Sequence, residues 1–92
     1  MDEVEKKLND AIFAGREAVK FLRKNNLRKA FSMLVDMFDS YCEARVKAFL
    51  SGDTDKVIHT VNVANTSLKD IIDEFETELY EVCEYSKRKE VW

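Results

Sequence analysis

Catalysis and metal binding need nucleophiles, bases or ligands held close together, and this sequence has few of them. His59 is the only histidine. Asp55 stands four residues before it and Asn62 three after, so on a helix the three share a face. One chemical reading is an Asp55–His59 hydrogen-bonded pair, or half of a metal site completed by a dimer mate. The plainer reading is a partly exposed histidine beside a turn. It is favoured because a general base or metal ligand needs company that the sequence does not supply. Cys42 and Cys83 stand alone without CxxC spacing, which argues against a disulfide framework or a zinc ribbon. Both read as small core hydrophobes. There is no Glu-x-x-His for a di-iron bundle, no glycine-rich phosphate loop and no Gly-x-Ser-x-Gly. The expectation is a non-enzymatic protein with no catalytic, cofactor-binding or metal-binding residues.

Two charged clusters remain. Asp70, Asp73, Glu74, Glu76, Glu78, Glu81 and Glu84 follow one another with no cation between them. Paired carboxylates at this spacing can hold a divalent metal, but a solvated acidic face or a dock for a basic partner is the stronger reading. Arg16, Lys20, Arg23, Lys24, Arg28 and Lys29 gather around one predicted turn. Six cations there could contact phosphate, which makes nucleic-acid binding the alternative function. The net charge of −3 and the lack of interleaved exposed aromatics weigh against it. A further reading pairs this basic hairpin with the acidic face, within or between chains.

Ninety-two residues make one domain with a thin core. The sequence has two glycines, no proline and 36% charged residues, which is a helical composition. No apolar run is long enough to span a membrane. The opening Met-Asp-Glu-Val-Glu-Lys-Lys lacks a signal-peptide pattern, so a reduced, cytoplasmic protein is expected. Residues 1–50 hold ten Lys/Arg against eight Asp/Glu, and residues 51–92 hold five against ten. The halves therefore differ electrically.

These groups must be positioned by helices. Phe49-Leu50-Ser51-Gly52-Asp53-Thr54-Asp55 carries the clearest stop and start: Gly52 suits a left-handed C-terminal position, and Asp53 or Thr54 can cap the next helix. Asn25-Asn26 is a second, tighter turn, in which Asn25 ends one helix and Asn26 caps the next. The predicted helices are 2–24, 27–50 and 54–88. Helix 1 carries the stripe Val4, Leu8, Ala11, Ile12, Gly15, Ala18, Val19 and Leu22, flanked by Phe13 and Phe21, with Gly15 allowing close helix approach. Helix 2 is the most apolar and is expected at the centre of the core. Helix 3 carries the near-heptad Val57, Val61, Ala64, Leu68, Ile71, Phe75, Leu79 and Val82. Asn62, Asn65, Thr66 and Ser67 are weak helix formers in its middle. One helix with a bend is preferred there over a break near Ser67. The fold expected is an all-α antiparallel three-helix bundle with a long C-terminal helix. The alternative is a four-helix bundle in which the chain folds back at Ser67.

Helix 3 exceeds its neighbours in length, so its last turns are expected to lie uncovered. Phe75, Leu79, Tyr80 and Val82 are the expected partner-binding residues, with a second copy of the chain as the simplest partner and another protein as the other. Lys87-Arg88-Lys89 closes the helix with the charge its dipole favours, and Trp92 is a terminal aromatic able to anchor in a partner.

The segment Tyr41-x-x-Ala44 … Phe49-Leu50-Ser51-Gly52-Asp53 … Ala64 … Leu68 resembles small archaeal all-helical domains of unknown function. In these, a helix ending in Phe-Leu-x-x-Gly-Asp leads into a second helix. The likeness is confined to positions 41–68 and departs by one residue in the turn, and Val63 replaces an aromatic. The segment also resembles tetratricopeptide-like hairpins and the helical HEPN domains, but Arg45 and His59 are too far apart for the HEPN Arg–His motif. The resemblance implies a fold and no chemistry.

Overall fold

The computed structural model describes the backbone of residues 2–90 and the side chains of residues 2–85. Val91 and Trp92 lie outside the described residues, as do the side chains of Lys87, Arg88 and Lys89. The chain forms α1 (Glu3–Arg23), α2 (Leu27–Ser51), α3 (Thr54–Val63), a π-helical stretch (Ala64–Leu68) and α4 (Lys69–Glu90). The junctions at Val63, Ala64 and Lys69 all keep right-handed helical angles. From Thr54 onward the chain is therefore one continuous rod, and it does not fold back at Ser67. The protein is an all-α bundle of three rods, the last one long, measuring 58 × 19 × 16 Å.

Each turn is built by the residues that mark it. Val4 N–H donates to Asp2 Oδ1 at 3.0 Å and starts α1. Asn25 takes the left-handed conformation at φ 60°, and Asn26 Oδ1 accepts from Lys29 N–H at 3.2 Å. Gly52 sits at φ 70°, and Asp53 Oδ1 accepts from Asp55 N–H at 3.0 Å. These bonds satisfy amides that the first helical turn leaves unpaired.

The centre of the bundle is α1, not α2 as the apolar count of α2 suggests. α1 packs along all of α2 and along α4. It buries Val4, Leu8, Ala11, Ala14, Gly15, Ala18, Val19 and Leu22, whereas α2 buries only Ala30, Met37, Ala44 and Ala48. Small residues on both sides of the α1–α2 seam let the two backbones approach. Gly15 lies in the tightest place. A Cβ there would stand 2.6 Å from Met37 Sδ and 2.8 Å from Ile71 Cγ2. The antiparallel register is also marked by Lys7–Glu43 at 2.8 Å and Lys47–Glu3 at 2.7 Å. Phe13, expected to widen the core stripe, instead points to solvent on the far side of α1.

The π stretch falls on the weak helix formers Asn65, Thr66 and Ser67. The hydroxyls of Thr60 and Thr66 bond back to the carbonyls of Lys56 and Asn62, at 2.9 and 2.7 Å. Such side chains compete with the backbone ladder for its acceptors. One extra residue in a turn rotates everything after it by about 100°. Before the stretch the rod lies chiefly on α2, and after it on α1. The rod thereby leaves the side of α2, which it still meets where the Phe31 and Phe75 rings pack edge to face, centroids 5.5 Å apart.

Candidate interaction surface

His59 does not pair with Asp55. Its Nε2 meets Glu5 Oε2 of α1 at 2.8 Å, at the exposed end where Lys56 Nζ also reaches Asp2 at 3.3 Å. Asp55 belongs to the cap of α3, its amide donating to Asp53. Among the described residues, no three His, Cys, Asp or Glu side chains are grouped to hold a metal ion. Cys42 and Cys83, expected in the core, are both exposed, because each lies on a helix face that no neighbour covers.

The basic cluster assembles at the α1–α2 end of the bundle, with Arg16, Lys20, Arg23, Lys24, Arg28 and Lys29 all exposed. Part of it is engaged inside the chain. Arg23 bonds Glu78 at 2.9 Å and Glu74 at 2.5 Å. The hydrogen bond from Arg23 to Glu78 holds its guanidinium pKa above the ordinary value, with Glu74 adding to it. Lys24 and Lys29 place their ammonium groups 5.8 and 5.7 Å from the Phe21 ring. The acidic face of α4 is thus joined to the basic hairpin within one molecule.

The interaction surface was expected on the last turns of the long rod, and the chain itself covers most of the residues named there. That rod begins level with the start of α1 and runs parallel to it, so Arg23, the last residue of α1, comes level with Glu74 and Glu78. Phe75 is only 3% exposed. Leu79 and Val82 are half-buried against the core. Of the four expected partner-binding residues, only Tyr80 stays well exposed, at 67%. The α1–α2 turn covers the next turn of the rod, where Leu22 and Asn25 line the same shallow depression as Val82 and Tyr85, and the rod runs on past it to Glu90.

Among the described residues, the longest run of exposed apolar side chains is on α2. Ala30, Met37, Ala44 and Ala48 turn inward, while Leu27, Phe31, Val35, Phe38, Cys42, Val46 and Phe49 form a second stripe facing out. Phe49 is 62% exposed and Leu50, beside it, 82%. The stripe continues onto α3, where Ile58 and Val61 are also exposed. Tyr41 and Phe49 share a groove with Val57 and Val61 between the two helices. A signal for this stood in the sequence. Within the wide apolar arc of α2 the alanines recur on one side and the phenylalanines on the other, and small residues mark the side where backbones pack closely.

No helix among the described residues is long and apolar enough to cross a membrane. In comparison with known proteins, no family model matches the chain, and no curated protein or solved structure matches it.

Proposed function

We propose that this chain is a non-enzymatic helical interaction protein whose binding face is the outer stripe of α2 with the adjoining rim of α3. One observation carries the reading: large apolar side chains stand in water on a helix whose opposite side already holds the fold. Leu27, Phe31, Val35, Phe38, Val46, Phe49, Leu50, Ile58 and Val61 are all more than a third exposed. Exposed apolar side chains clustered in this number mark an interaction surface rather than scattered surface residues. The exposed thiols of Cys42 and Cys83 fit a reducing, cytoplasmic setting.

The alternative, nucleic-acid binding through Arg16, Lys20, Arg23, Lys24, Arg28 and Lys29, has less support. Arg23 is occupied by two glutamates, and the acidic face of α4 stands beside the cluster. Binding of that kind would weaken steeply with salt, and binding through α2 would not.

The test uses a double variant, Phe38→Asp with Val46→Asp. Both side chains are about half exposed, so helicity by circular dichroism should be retained, with stability changed by no more than about 1 kcal/mol. The dilute wild type should brighten the apolar dye ANS, or associate as its concentration rises, and the variant should do neither. A wild type that stays monomeric and leaves the dye dark would remove α2 as a binding face.

A further inference from the structure

The occupant of the α2 face can be read from its spacing. Counted from Phe38, apolar residues stand 3, 7 and 11 positions back (Val35, Phe31, Leu27) and 4, 8 and 11 forward (Cys42, Val46, Phe49). The stripe therefore reads nearly the same in both directions. Two antiparallel copies related by a two-fold axis must satisfy that condition, because residue i then meets j while j meets i. We propose that the partner of α2 is α2 of a second copy, antiparallel and centred on Phe38. Leu27 then lies opposite Phe49 of the other copy, Phe31 opposite Val46, and Val35 opposite Cys42.

The charges beside the stripe also favour this occupant. The two cations bordering the stripe, Arg28 and Arg45, fall opposite Ala48 and Phe31 in the antiparallel arrangement centred on Phe38. Side by side in a parallel one, each would face its own copy, and like charges at close range oppose association. Asp39 alone comes near its own copy, and it does so on the flank rather than on the stripe. The stripe runs from Leu27 to Phe49, so nearly the whole length of α2 takes part.

The inference rests on α2 being a binding face, and the experiment separates the two. It uses the full chain with Cys83→Ser, so that Cys42 is the remaining thiol, and a second variant that adds Val35→Cys. In the antiparallel pair Cys42 lies about 12 Å along the axis from its own copy, beyond disulfide reach. Under mild oxidation the Cys83→Ser protein should therefore stay uncrosslinked, although sedimentation gives twice the chain mass. Adding Val35→Cys should give a covalent dimer that joins the new thiol of one copy to Cys42 of the other. Within one chain, positions 35 and 42 stand two helical turns apart, about 10 Å, and cannot bridge each other. A third variant, Phe38→Cys with both native cysteines changed to serine, should crosslink to itself beside the axis.

Crosslinking through Cys42 alone would show parallel pairing and overturn the proposal. A dimer in which neither introduced cysteine bridges, yet which Phe38→Asp dissociates, would keep α2 as the face and overturn this pairing. A wild type that is monomeric at all concentrations but binds ANS through α2 would remove the second copy as occupant.

Discussion

Gly15 is the residue on which the bundle closes, with Met37 on one side and Ile71 on the other, both inside ordinary contact distance of a Cβ placed there. Met37 ends in a flexible thioether that can move aside. Ile71 is branched next to its backbone and gives way less readily. Overpacking of this kind costs about 1–3 kcal/mol, and replacing glycine by alanine in a helix returns roughly 1 kcal/mol. Gly15→Ala should therefore lose about 1 kcal/mol net, read as a lower urea midpoint at unchanged slope. A raised midpoint would show that Ile71 and Met37 shift freely.

At the scale of elements, the π stretch decides which neighbour the long rod has. Its extra residue turns Ile71 and Phe75 toward α1, where both are buried. Deleting Thr66, which is exposed and outside the core, should restore an ordinary α-helix and rotate α4 by about 100° relative to α3. Ile71 and Phe75 would then leave α1. Burial of each such side chain is worth about 1.5–3 kcal/mol, so the deletion should cost roughly 3–5 kcal/mol in chemical denaturation. An unchanged midpoint would mean that the stretch is not what sets the face of α4.

Across the whole molecule, the helices are also tied by exposed ion pairs at their ends. The amide of Val4 is the main cause that holds the Asp2 carboxyl below its ordinary value, Lys47 does so for Glu3, and Lys7 for Glu43. A carboxylate with a lowered folded pKa stabilises the fold above its unfolded pKa, roughly 4. That stability is lost as pH falls through the folded values. Melting temperature should therefore drop below about pH 4, modestly, because the pairs are in water and screened. A Lys7→Ala, Lys47→Ala variant should show a smaller drop between neutral and acid pH. Equal drops in the two proteins would mean that these pairs do not carry the acid sensitivity.

The amino-acid sequence alone determined the helices and their ends. Asn25 and Asn26, Gly52 and Asp53 act through local backbone chemistry, which needs no distant neighbour, and the weak helix formers around Thr66 marked where the long rod departs from α geometry. Only the tertiary structure decided which apolar face is covered. Periodicity shows that a face is greasy, but not which element lies against it. For α2 the choice between its alanine side and its phenylalanine side was made by close packing on α1. For Phe75, Leu79 and Val82 it was made by the parallel register of α1 and the long rod, a relation between residues some fifty positions apart.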